Sequence, residues 1–131
     1  MQRLILMAIL GLLSFCATIP VLAHHSFAAA YFEDQSITVE GELVEFEYKS
    51  PHAWVHVSVK DGGGQVLRYS AEWSNPNRLA QLSINKDTLK PGDFLILTGS
   101  PGRNSSERNI HLKAIERPAD GWKWPARRGR A

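Results

Sequence analysis

The chain has 131 residues, 44% of them hydrophobic, and a formal net charge of +2 at pH 7. That length holds one small domain able to bury a core of its own, and the near balance of charge singles out no charged partner. A single cysteine, Cys16, excludes an internal disulfide.

Met1-Gln2-Arg3 is a short positive start, Leu4 to Ile19 is almost wholly apolar, and Val21-Leu22-Ala23 fits the −3 and −1 positions of a signal-peptidase site. The apolar run is shorter than the ~20 residues that cross a bilayer, and Pro20 interrupts it. Cys16 follows Phe15 rather than a small residue, which speaks against a lipoprotein. Residues 1–23 therefore read as a cleavable signal peptide. The expected product is periplasmic, begins at His24, has no transmembrane span, and has lost its only thiol with the signal.

Residues 24–36 form an arm that Phe27, Tyr31 and Phe32 can pin to the body, closed by a turn at Glu33-Asp34-Gln35-Ser36. A first strand starts at Ile37 with Val39, Gly41 and Leu43 on one face, then changes phase to Val44, Phe46 and Tyr48. A phase change inside one strand means a bulge or sharp bend, and Gly41 stands just before it. Pro51 precedes the second strand, where Ala53, Val55, Val57 and Val59 alternate with His52, Trp54, His56, Ser58 and Lys60. The first set is a β-branched core stripe, and the second is a row of polar and aromatic side chains on the opposite face.

Asp61-Gly62-Gly63-Gly64 turns the chain into a third strand, Gln65 to Trp73, with Leu67, Tyr69, Ala71 and Trp73 inward. Asn75 and Pro76 have the N-cap and first-turn signature of a short helix anchored by Leu79 and Leu82. A Lys90-Pro91-Gly92-Asp93 turn leads to a fourth strand, Phe94 to Ser100. A polar loop then reaches a fifth strand, Asn109 to Glu116, with Ile110, Leu112 and Ala114 on one face. The fold expected is all-β with one short helix: a five-stranded OB-like small barrel over residues 37–117, with a β-sandwich as the alternative. Residues 118–131 make a tail with Lys123, Arg127, Arg128 and Arg130 beside Trp122 and Trp124. It reads as a partly disordered, solvated tail whose tryptophans dock on the body.

His24-His25-Ser26-Phe27, Pro51-His52-Ala53-Trp54, Asn75-Pro76 and Leu89-Lys90-Pro91-Gly92-Asp93, in that order, resemble an uncharacterised family of small exported bacterial proteins. The resemblance spans nearly the whole chain after the signal and implies export and a compact β-rich domain. It brings no activity with it. The basic, Trp-containing tail beyond Arg117 departs from the family pattern.

The chemistry-bearing residues are few. No G-x-S-x-G elbow, H-E-x-x-H helix or phosphate-binding glycine loop is present. Glu40, Glu42, Glu45 and Glu47 read as a solvated strand face. The protein is expected to be non-enzymatic: a binding or accessory module that recognises a small ligand or envelope protein around His52, Trp54 and Asn75, without nucleic acid. Its alternative function is copper binding. Cleavage before His24 would create an α-amine beside an imidazole, which His25 or His52 could complete as a copper site. His52 and His56 are four residues apart, ~13 Å along a flat strand, too far to share one ion. His56 is expected to pair with Glu45, Glu47 or Glu72, and His111 to lie on the surface.

Overall fold

The structure is a computed structural model, and it describes residues 26–126. The signal segment, His24, His25 and the arginines Arg127, Arg128 and Arg130 lie outside those residues. Six strands carry the architecture: β1 (Ile37–Glu47), β2 (Trp54–Lys60), β3 (Val66–Glu72), β4 (Phe94–Pro101), β5 (Asn109–Arg117) and β6 (Trp122–Trp124). Two short helices accompany them, α1 (Ser26–Ala30) and α2 (Pro76–Gln81). The sheet order is β3-β2-β1-β4-β5-β6, and β3 also pairs in parallel with β5, which closes strands one to five into an OB-like barrel. The sandwich alternative falls with that closure.

β1 makes the closure possible because it serves two neighbours. Ile37 to Glu42 pair with β4, and Glu42 to Glu47 pair with β2. The changeover is a bulge: Leu43 faces Val57, Glu45 faces His56, and Val44 is left unpaired between them. A bulge bends its strand and shifts the side-chain phase by one, so Leu43 and Phe46 both face inward. Val44, expected with the apolar set, is instead exposed, because the bulged residue has no place on the inner face. At Gly41 the strands approach so closely that a β-carbon would collide with the Ser58 carbonyl.

The expected β2 phase holds. Ala53, Val55 and Val57 are fully buried with Leu43, Ala71, Leu95, Leu97, Ile110 and Ile115. The hairpin turn is held by Asp61 Oδ1, which accepts from the backbone N–H groups of Gly63 and Gln65. Helix α2 is capped as expected, with Asn75 Oδ1 accepting from the Arg78 N–H at 2.9 Å. Leu79 is its buried anchor, but Leu82 is not a second one: it is 54% exposed. The helix stops at Gln81 and Ser83 takes a left-handed conformation, so the chain turns back and Ile84 enters the core in place of Leu82.

The tail also departs from expectation, since part of it is a strand. Trp122 to Trp124 pair antiparallel with Arg117 to Ile115. The reversal is made by Arg117, whose guanidinium holds Asp120, Asp93 and the Thr88 carbonyl. Three residues of alternation are too short a signal to read as a strand.

Candidate functional site

The outer face of β2 carries two arrangements of histidine. At its centre His56, 9% exposed, shares hydrogen bonds with Ser70 Oγ through Nδ1 (2.8 Å) and with Glu47 Oε1 through Nε2 (3.2 Å). Trp54 lies parallel to it, 6.3 Å between ring centres. Lys49 pairs with the same Glu47 and, with His56, holds its carboxyl below the usual range. Glu45, Glu47 and His56 bring ligand atoms within 4.8 Å of one another, the one such trio among the described residues. Its carboxylates pair with Lys49 and Arg68, and both ring nitrogens of His56 are engaged.

The second arrangement forms where the barrel closes. The β3–β5 register sets Glu72 opposite His111. One oxygen of Glu72 holds His52 Nδ1 at 2.7 Å, and the other accepts the Tyr31 hydroxyl at 2.5 Å. Tyr31 is 3% exposed. Burial, reinforced by the bond to Glu72, pushes its phenol far above the ordinary value, so it stays protonated and donates. On the other side, Glu33 accepts from Lys113 Nζ and engages His111 Nδ1, at 2.8 and 2.7 Å. Burial works to raise the Glu33 carboxyl, but the bonds from Lys113 and His111 outweigh it and the net direction is down. Phe27, delivered by α1, stacks on His111 at 3.8 Å and leans on His52 at 5.3 Å.

Beside this cluster opens a groove of about 780 Å³. Its walls come from α2, the end of β3, β5 and β6, and both His52 and Asn75 line it. Of the ligand-binding residues read from the sequence, these two are therefore brought together, whereas Trp54 stands outside over His56. The Asn75 oxygen caps α2, and its amide NH₂ makes no hydrogen bond among the described residues.

The model of the Family of unknown function (DUF6152) matches residues 12–111. The chain belongs to this family. The uncharacterised family expected from the sequence is thus the one found. The match covers the second cluster from Phe27 to His111, while Lys113, β6 and its tryptophans lie beyond it. No curated protein matches this DUF6152 chain. The mitochondrial single-stranded DNA binding protein Rim1 of S. cerevisiae is similar in fold, with 11% identity, 63% of this chain and 90% of that one covered, and a TM-score of 0.49. The small single-stranded DNA-binding protein of Streptomyces coelicolor is similar over 63% of this chain and 90% of that one, with 14% identity and a TM-score of 0.40. PriB from Ralstonia solanacearum shares 18% identity, covering 63% of this chain and 95% of that one, with a TM-score of 0.39.

These likenesses correct one expectation from the sequence, the exclusion of nucleic acid. Two of the three similar structures are described as single-stranded DNA-binding proteins, so the exclusion does not stand. At these identities the likeness extends to the fold and assigns no ligand to the DUF6152 chain.

Sequence reasoning missed Glu72 as the partner of His52, and Tyr31 and His111 as members of the same cluster. Their outward phases were legible for Glu72 and His111, but their adjacency depends on a parallel pairing between strands about forty residues apart. Of the copper candidates, His24 and His25 lie outside the described residues. His52 keeps Nε2 without a hydrogen bond among the described residues, its Nδ1 being held by Glu72. Among the described residues no helix is long and apolar enough to cross a membrane.

Proposed function

We propose that this chain is an exported, periplasmic binding or accessory module that recognises its ligand at the groove flanked by His52 and Asn75, with Trp54 extending the same outer row. The groove carries the reading. A concavity of about 780 Å³ is within the size range of small-molecule sites, and His52 and His111 of the histidine–carboxylate cluster line one end of it. Neither the family nor the fold points to a reaction. Export is supported by the positive start, the apolar run and the Val21-Leu22-Ala23 site. Cell fractionation with N-terminal sequencing tests it: mature protein beginning at His24 is expected in the periplasm, and an intact cytoplasmic chain refutes it.

Nile red, a neutral apolar dye, tests the groove. Saturable binding of one dye per chain is expected, weakened by Trp124→Ala and unaffected by Lys60→Ala. Non-saturable uptake, equal in both variants, removes the groove as a site.

A copper site is the second reading, and one observation favours it. Metal-ligating histidines typically hand their other nitrogen to a carboxylate, and His52 Nδ1 is so held by Glu72, leaving Nε2 for a metal. In this reading His52 completes a site with the amine and imidazole of His24, or with His25. Protein beginning at His24 is expected to bind Cu(II) more tightly than a form carrying one extra residue before it. Equal isothermal titrations for the two forms exclude the terminal amine.

A further inference from the structure

We propose that the groove binds an anionic amphiphile, a single alkyl chain bearing a carboxylate or phosphate head; this rests on the binding-module reading above. The groove floor is apolar. Trp73, Leu79, Ile84 and Leu112 line it and are each 3% exposed or less. At the lip, Leu82 leaves a large apolar side chain 54% exposed, in a protein that buries its other core leucines.

The ionisable side chains that line it are all basic. Arg78, Lys113 and Lys123 line the groove, with His52 and His111, and no carboxylate does. Lys113 and Lys123 are balanced from outside by Glu33 and Glu116. Arg78, exposed on α2, has no ion pair among the described residues, so its guanidinium is available for a head group. Trp73, in the groove floor, has its Nε1 buried with no acceptor among the described residues.

The aromatic geometry favours an alkyl chain over stacked bases. Single-stranded nucleic acid stacks on open ring faces. Here Trp73 and Trp124 pack edge to face at 5.0 Å and 66°, and Arg117 sits 5.5 Å over the Trp122 ring. One face of the Trp122 ring is thus taken by Arg117, and Trp73 and Trp124 pack on each other rather than lying parallel as a stacking platform.

The test uses the protein isolated from the periplasm, titrated with dodecanoate, dodecyl phosphate, dodecanol and a twelve-residue oligothymidylate. The two anions are kept below their micelle concentrations and the alcohol below its solubility limit. Tryptophan emission and calorimetry are read together. Dodecanoate and dodecyl phosphate are expected to bind one per chain and to shift the emission to the blue. Arg78→Gln, checked for unchanged circular dichroism, is expected to weaken both anions about tenfold, the size of one charge-assisted hydrogen bond, and to leave dodecanol unchanged. The tighter of the two anions identifies the head group. Equal binding of dodecanol and the anions, or loss of dodecanol binding together with theirs in Arg78→Gln, overturns the anionic assignment. Oligothymidylate binding that displaces the amphiphiles overturns it in favour of nucleic acid. If Nile red binds and no amphiphile does, this inference fails while the groove survives. If neither binds, the binding-module reading itself has failed.

Discussion

Val57 and Lys60 stand three residues apart on β2 and differ in what surrounds them. Val57 is fully buried among leucines and isoleucines, whereas Lys60 is exposed at the hairpin. A carboxylate at position 57 would lose its water without gaining a partner, which costs several kcal/mol or forces protonation. Val57→Asp is therefore expected to lower the urea midpoint drastically or unfold the protein, and Lys60→Ala to leave it within error; similar midpoints would remove Val57 from the core. At Glu33 the argument concerns pH. A carboxyl depressed on folding contributes stability above its unfolded pKa, and loses it as pH falls through the folded value. The Glu33 carboxyl is depressed from about 4.5, so part of the stability is expected to vanish on acidification below that point. Urea midpoints measured from pH 6 to pH 3 should fall more steeply for the native chain than for Glu33→Gln. Parallel profiles would show that the Lys113 and His111 contacts do not hold it.

At the scale of elements, the barrel depends on the bend in β1. Gly41 permits β1 and β2 to approach where the Ser58 carbonyl would meet a β-carbon. Gly62, in the hairpin turn, has nothing within 4 Å of such an atom. Gly41→Ala is expected to lower the thermal midpoint clearly, by roughly 1–3 kcal/mol of overpacking strain, and Gly62→Ala to change it little. Thermal melts that rank the two alike would mean the approach is not tight. The α2 cap and its buried Leu79 could be read in advance because Asn-Pro before an apolar position has a local cause. Leu82 could not, since its exposure follows from the turn at Ser83, which no spacing rule encodes.

In the whole molecule, closure joins β3 to β5 and makes one continuous core of Leu43, Val55, Val57, Leu97 and Ile110. β6 is different: it pairs only with β5, at the edge, through three residues. Local opening free energies are lowest where few buried contacts hold an element. Amide hydrogen exchange is expected to be fastest at Trp122 to Trp124 among the strands and slowest in β2 and β4. Exchange of β6 in step with β2 would make the sixth strand part of the cooperative unit, and the groove wall as rigid as the barrel.

The sequence by itself determined the elements whose causes are local: the two-residue period of β2, the glycine-rich hairpin, the Asn75 cap, and the phase change that announced a bent first strand. These together sufficed for a five-stranded barrel, because a strand bent at mid-length is what lets one strand pair on both sides. His52 and Asn75 could also be picked out, being polar side chains that a core-facing phase leaves over. Only the tertiary structure decided what they join. The parallel closure brings Glu72 beside His111, α1 lays Phe27 on both imidazoles, and β6 adds the last wall of the groove. Each of those contacts is made between residues far apart in the chain, and their pairing is set by how the sheet curls shut rather than by any neighbour in the sequence.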